Sequence, residues 1–465
     1  MQRWHLTVGL GATAILAALI VPELISQPQS VTEVAVAPAP APAPTVVARN
    51  ISGLTVSVGV DNPVVPAGKT TERYVVVTLD GHSDAGAMVD RPVNVAVVLD
   101  RSGSMGAQSK MSYAKQAARE LVEALDADDR FALVTFADHA EVPISSTAVT
   151  GTSSLLRSIY AVQEGGGTNL YAGLNEGFSQ VRGNLDSQSL NRVILLSDGN
   201  ANVGITDDDQ LSDLAGRWIE SGVSVSAMGV GLDYNEDLLA SMADQGGGSY
   251  RFIDNPATLT AVFTDELQQL ADVAARGVQV SIDVAPGVEL VDVLGYDEES
   301  VDGAVRVRVG DVREGESRKV VVKVRVPASN VTPANELLSL AVSTIDGGLA
   351  GPYSLDTTPT DDRALVQASE NRELSILVAQ AEASVLADEA TRAYERGDRA
   401  RMKSLMRASQ SRADTAATRY KSDDLYNQLN LLRDQEQTFD TVDSSSSEGV
   451  FQVKRAKETY RASSR

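Results

Sequence analysis

The 465-residue chain contains no cysteine. That excludes disulfides, thiolate nucleophiles, thiolate metal sites and the lipid-bearing cysteine of a lipoprotein. Histidine is almost as scarce: His5, His82 and His139 are the only three, and no H-E-x-x-H pattern occurs. Oxygen ligands are what remain for any metal. Positive charge is also short, with 40 Lys and Arg against 63 Asp and Glu and a formal net charge of -23. Such a chain repels phosphate backbones, so no nucleic acid is expected as a partner, whereas divalent cations are natural company. A G-x-S-x-G elbow is missing too, because "SGSMG" puts Ser102 where the first glycine would stand. What is plentiful is apolar side chain, at 43%, in a chain long enough for two or three domains.

Near the N-terminus, Arg3 precedes an uncharged 16-residue run from Leu6 to Val21. Residues 1–25 therefore read as a signal peptide or signal anchor. Pro22, Glu23 and Leu24 follow in place of a small-x-small cleavage site, which favours an anchor, although the run is shorter than the usual span of about 20 residues. Ordinary cleavage is the alternative. Positive charge before the run and Glu23 after it place the remainder outside the cytoplasm, in the cell envelope, either periplasmic or at the cell surface. Membrane contact is expected through this segment only. Residues 26–50, with "APAPAPAPTVVA", form a Pro/Ala linker that is extended and semi-rigid.

Residues 51–92 carry two strand patterns, "LTVSVGVDNPVV" and "RYVVVTL". From 93 to 270, runs such as "VNVAVVL", "FALVTFA" and "RVILLS" alternate with helical patterns such as "KMSYAKQAARELVEALD". That alternation predicts an α/β fold with a doubly wound, mostly parallel, Rossmann-like sheet. Residues 271–350 return to short strands, and 51–92 is expected to complete their sandwich. The α/β unit would then be inserted in a β-sandwich-like domain. A helical region is expected over 360–440, with Leu374, Val378, Ala381 and Val385 on one face and a break at Gly397-Asp398. Residues 441–465 read as a polar, disordered tail whose Lys454, Arg455 and Lys457 are solvated.

In a doubly wound sheet, functional groups gather beyond the carboxyl ends of strands. Asp100 ends one strand and opens Asp100-x-Ser102-x-Ser104; Asp198 ends another in "VILLSDGN"; between them "EGGGTNLYAG" presents Thr168 ahead of a helix. Separately, these pieces are an N-cap, a turn and a loop. In this order they resemble the von Willebrand factor type A domain, over residues 93 to about 270. The wider pattern is similar to exported bacterial proteins of that type, some carrying a calcium-activated-chloride-channel label. The resemblance implies a metal-ion-dependent adhesion site with Asp100, Ser102, Ser104, Thr168 and Asp198 as its metal residues, the hydroxyls touching the ion and the aspartates binding directly or through water. Hydroxyl and carboxylate oxygens select hard cations, Mg²⁺ first and Ca²⁺ or Mn²⁺ as alternatives.

The expected function is adhesion, scaffolding or assembly without catalysis, in which a protein ligand supplies a carboxylate to the ion. A metal-dependent hydrolase using a cation-bound water is the alternative, with Asp198 as the conceivable base. A channel-associated subunit is a poorer reading, since one hydrophobic segment cannot line a pore unless many chains assemble. Other features have plainer readings. His139 sits in a loop, Arg396-Gly397-Asp398 coincides with a helix break, Asp207 to Asp209 cap a helix, and Met105, Met228 and Met242 pack.

Overall fold

The computed structural model describes residues 46–465 apart from Ser52, 83–90, Ser187, Asp302 and 328–335. The expected export segment and all but the last five residues of the Pro/Ala linker lie outside the described residues. Among the described residues, no helix is long and apolar enough to cross a membrane.

Valine-rich alternation builds the first layer. The strands β1 (Val47–Ile51), β2 (Leu54–Val60) and β4 (Thr71–Gly81) are antiparallel neighbours, and the short β3 (Val64–Pro66) lies between β2 and β4 in sequence. In β4, Val75, Val77 and Leu79 enter one core while Tyr74 and Val76 enter another. A strand buried on both faces needs a layer on each side of its sheet.

The α/β unit follows. Its elements are β5 (Val93–Asp100), α1 (Lys110–Ala124), β6 (Arg130–Phe136), β7 (Ala140–Ala148), α2 (Thr152–Ala161), α3 (Leu170–Arg182), β8 (Leu190–Ser197), α4 (Asp208–Ile219), β9 (Ser224–Val230), α5 (Glu236–Gln245), β10 (Gly247–Ile253) and α6 (Leu259–Ala271). The sheet order is β10-β9-β8-β5-β6-β7, parallel except for β7. Every residue of β5 is buried. Val95, Val97 and Leu99 pack with α1, α2 and α6, whereas Ala96 and Val98 pack with α3, α4 and α5. The near-continuous apolar run of β5 is thus the consequence of helices on both faces.

The chain then makes β11 (Val273–Val284), β12 (Glu289–Leu294), β13 (Glu298–Val301), β14 (Ala304–Arg313), β15 (Ser317–Val326), β16 (Glu336–Ser343), β17 (Leu349–Asp356) and β18 (Thr358–Thr360). One five-stranded sheet runs β1-β2-β4-β15-β12 and the other β13-β14-β11-β16-β17, while β18 lies parallel to β3. β15 pairs antiparallel with β4 from Thr71↔Val326 to Asp80↔Ser317. Strands from before and after the α/β unit therefore share a sheet. The inner faces of the two sheets share one core, with Val58, Val77 and Val322 from one and Val280, Val307 and Leu340 from the other. These strands run six residues beyond the expected limit at 350 in β17 and reach Thr360 in β18.

Five helices close the chain: α7 (Arg363–Ala368), α8 (Arg372–Glu395), α9 (Arg399–Tyr420), α10 (Asp423–Thr441) and α11 (Ser447–Ser464). Leu374, Val378 and Ala381 of α8 pack on Tyr74, Val76, Leu294 and Val321, covering the outer face of the first sheet. The α8–α9 break is chemical: Gly397 takes φ +76° and Asp398 accepts the Arg401 amide at 3.0 Å.

The tail expected at 441–465 is a correction. It forms α11, and Val453, Ala456 and Tyr460 join the core of α8, α9 and α10. Its lysines are not solvated. Lys454 donates to Glu236 at 2.5 Å and to the Tyr234 carbonyl at 2.9 Å; Lys457 lies 2.9, 3.0 and 2.8 Å from Glu236, Asp237 and Glu395. Buried ammonium groups are tolerated because the N-terminal turn of α5 and the end of α8 supply their counter-charge.

Candidate metal centre

Asp100 is the last residue of β5, and its side chain is fully buried. Its Oδ1 accepts the Ser102 amide at 2.8 Å and its Oδ2 accepts the Ser197 hydroxyl at 2.6 Å. The first of these bonds folds the chain back at once. It places Ser102 Oγ 3.0 Å from Ser104 Oγ, and Ser104 Oγ donates to Asp198 Oδ1 at 2.8 Å. Asp198 follows β8 directly, and β8 is the parallel neighbour of β5, so the two carboxylates are brought to one crevice by strand pairing.

Thr168 arrives on the glycine loop. Gly166, at φ +93°, cannot carry a side chain: a Cβ there would lie 2.8 Å from Asp138 Oδ2. Asp138 Oδ1 accepts the Gly167 amide at 3.0 Å, Asn202 Oδ1 accepts the Thr168 amide at 2.8 Å, and Asn169 caps α3 by accepting from Ala172 at 3.1 Å. The amide of Gly103 bonds the Gly166 carbonyl at 3.2 Å, tying this loop to the Asp-x-Ser-x-Ser turn. A Cβ on Gly199 would stand 3.6 Å from Thr168 Oγ1 and 3.8 Å from Ser104 Oγ, which measures how closely the two hydroxyls flank the Asp198 turn. All five expected residues thus meet at the ends of β5 and β8. Asp100, Ser102, Thr168 and Asp198 are buried, whereas Ser104 is exposed.

Four supporting residues escaped the sequence reading: Ser197, Asp138, Asn202 and Lys110. Lys110 Nζ donates to Asp198 Oδ2 at 2.7 Å, with 5% of the lysine side chain exposed and none of the aspartate's. It is the first residue of α1, where a positive charge opposes the helix dipole. Gln108 and Ser109 precede it at φ +52° and +58°, a left-handed pair without glycine that costs about 1–2 kcal/mol per residue. A lysine opening an otherwise amphipathic pattern was the available signal. Burial pushes the Asp100 carboxyl up from the ordinary carboxylate range, against hydrogen bonds from Ser197 and Ser102, and Asp198 adds to the rise.

Residues 94–267 match the von Willebrand factor type A domain family. The chain carries a VWA domain. Among curated relatives, it is 30% identical over 194 residues to the uncharacterized protein YfbK of Escherichia coli (strain K12), a match covering 42% of this chain and 34% of that protein. It is 26% identical over 279 residues to the uncharacterized protein sll0103 of Synechocystis sp., covering 58% of this chain and 65% of the relative. The matches thus span about a third and just under two thirds of those proteins' lengths. A solved structure, the von Willebrand factor type A protein from Catenulispora acidiphila, superposes with a TM-score of 0.67 at 18% identity, covering 89% of this chain and 98% of that one. The shared fold therefore includes the sandwich and helices as well as the VWA domain.

The remaining sequence candidates stand apart from this crevice or serve other ends. His139, 71% exposed, sits in the β6–β7 turn and lies 3.2 Å from Glu141. Asp207 caps α4 by accepting from Gln210, and Asp208 accepts from Asn235 at 2.8 Å. Asp398 of the Arg-Gly-Asp stretch caps α9. Met105, Met228 and Met242 are buried in the cores. The VWA crevice itself offers two carboxylates and three hydroxyls and no sulfur or imidazole, a donor set that fits a hard divalent cation.

Proposed function

We propose that the protein is an exported, envelope-anchored adhesion or scaffold protein that captures a protein ligand through a divalent cation, Mg²⁺ by preference. The observation that carries this reading is the convergence of Asp100, Ser102, Ser104, Thr168 and Asp198 in one crevice, with Ser104 open to solvent. Asp100 and Asp198 supply charge, and the three hydroxyls supply neutral oxygens that leave much of a cation's charge uncompensated. A bound divalent cation would supply an open coordination position for a carboxylate of the ligand. VWA domains generally serve protein–protein interaction, which supports binding over hydrolysis. The candidate general base, Asp198, is already engaged by Ser104 and Lys110. Arg3 and the uncharged run Leu6 to Val21 support export and anchoring.

The test is calorimetric titration of the purified protein with Mg²⁺ and Mn²⁺, beside Asp100→Ala and Thr168→Val, with a thermal melt of each. Wild type should bind one ion, and Asp100→Ala should lose affinity by at least about tenfold, since even outer-shell changes to a metal site cost about 10- to 100-fold. Thr168→Val keeps the shape and deletes a hydroxyl, so it should bind more weakly while melting near wild type. Crosslinking to envelope proteins in Mg²⁺ against chelator should capture a partner only with the ion. Folded Asp100→Ala protein with wild-type affinity would overturn the assignment.

A further inference from the structure

The VWA crevice contains a positive charge of its own. Lys110 Nζ is 2.7 Å from Asp198 Oδ2, on the oxygen that Ser104 does not use, and the pair is almost wholly shielded from water. Its placement is enforced. Two successive left-handed residues, Gln108 and Ser109, swing the chain so that Lys110 opens α1, and Ser109 provides no capping side chain there. A Cβ on Gly231, after β9, would lie 3.4 Å from Lys110 Cε and Nζ, so the ammonium is walled in from that side. Burial, the left-handed turn and the unfavourable end of the helix dipole all work against a lysine at this position, and Asp198 is the group that offsets them.

Two carboxylates against one ammonium leave a single net negative charge. A divalent cation over-neutralises it, and one ligand carboxylate restores balance. With Lys110 replaced by a neutral residue, the cation alone would balance the two carboxylates. In a shielded crevice such differences act strongly.

We propose that Lys110 is the site's built-in counter-charge: it weakens binding of the cation alone and makes cation and anionic ligand bind cooperatively, so that the ion is held loosely until the ligand arrives. The inference rests on the metal reading above and adds the residue that couples the ion to its anionic ligand. Lys110 acts through Asp198 and is a positioning residue. Coupling of this kind is reciprocal, so the ligand tightens the ion by the factor by which the ion tightens the ligand.

The experiment measures Mn²⁺ affinity from the electron paramagnetic resonance signal of the free ion. Wild type, Lys110→Met, Lys110→Arg and Asp100→Ala are compared in sodium chloride and in sodium acetate at equal ionic strength. In wild type, acetate should tighten Mn²⁺ binding several-fold. Lys110→Met should bind Mn²⁺ about tenfold more tightly in chloride and lose the acetate effect. Its melting temperature should fall without metal and gain more from Mn²⁺ than wild type does. Lys110→Arg should behave like wild type, because it keeps the charge. Folded Lys110→Met with unchanged or weaker affinity overturns the proposal, as does Lys110→Arg that behaves like Lys110→Met. If Lys110→Met does not fold, wild type and Lys110→Arg decide, and loss of the acetate effect in either overturns it. Mn²⁺ binding by wild type that Asp100→Ala abolishes keeps the metal reading intact whichever way Lys110 falls; failure of wild type to bind Mn²⁺ overturns both.

Discussion

Asp61 sits just beyond β2, where its carboxylate accepts the Tyr74 amide at 2.8 Å and its carbonyl accepts the Asn371 amide at 2.7 Å. Burial pushes this carboxyl up to about 6, and Glu370 adds to the rise; the Tyr74 and Asn62 amides and Arg73 pull the other way. A carboxyl raised in the folded state holds a proton that the unfolded chain has shed. Its contribution to stability is therefore favourable below the unfolded value near 4 and is lost as pH rises through about 6. Asp61→Asn keeps an oxygen for the Tyr74 amide and removes the buried charge. At pH 7.5 it should raise stability by about 1–2 kcal/mol, as one pKa unit is worth about 1.4 kcal/mol and the partly exposed side chain keeps some hydration. The gain should vanish at about pH 3, below both the folded and the unfolded value. Urea denaturation at the two pH values checks it, and equal gains at both would contradict the assignment. At this scale the five candidate residues were legible, because their types and order along alternating strands are distinctive. Lys110 was not, because the sequence does not say that the first residue of α1 turns inward.

At the scale of elements, α11 is the instructive case. Glu236, Asp237 and Glu395 bring their carboxylates within 4.8 Å of one another, a group that could hold a cation, and Lys457 already bonds all three. Burial alone would push Glu236 up, but Lys457 and Lys454 hold it down, at about 2. The stability this provides is present above the ordinary glutamate range and is lost as pH falls through about 2. Lys457→Ala should cost about 2–3 kcal/mol at pH 7, because the buried Glu236 keeps only Lys454 as a bonded partner, while Asp237 and Glu395 are half-exposed. Hydrogen exchange in α11 should accelerate accordingly. A change under about 0.5 kcal/mol in denaturation would show that α11 docks through Val453, Ala456 and Tyr460 alone. Two other elements of the VWA domain leave a fainter trace in the sequence. β7 is an edge strand in which only Ile144 is buried, so it lacks a two-residue period, and α2 has only 10 residues, short for a helix to stand out by its pattern.

The whole molecule is joined by polar contacts as well as by two chain crossings. Arg192 of β8 lies 2.8 Å from Asp311 of β14 and 3.6 Å from Glu266 of α6, and Asp311 also accepts the Gly277 amide at 2.8 Å. Arg276 of β11 donates to the Ser189 carbonyl at 2.9 Å. The VWA domain and the sandwich therefore meet through a buried charge network at the end of the parallel sheet opposite the candidate metal crevice. Asp311→Ala should cost about 2–4 kcal/mol, since Arg192 would retain Glu266 while losing its closer partner. Mg²⁺ affinity should stay within about twofold of wild type, because the crevice lies at the other end of β8. Denaturation beside metal titration checks both halves, and a large loss of ion affinity would mean that the junction and the crevice are coupled.

Sequence alone determined the α/β character of residues 93–270, because a run such as "VNVAVVL" has no polar face to give to water and must lie between two layers. It left oxygen as the donor for any metal by excluding cysteine and nearly excluding histidine. The neighbour of β4 within its sheet, β15, was decided by tertiary structure, since register depends on which strand lies alongside rather than on either strand's own pattern. The order of α11 and the inward aim of Lys110 were decided there too. A lysine reads as solvated until the carboxylate that neutralises it is known, and for Lys110, Lys454 and Lys457 that carboxylate lies more than 85 residues away along the chain for at least one bond each.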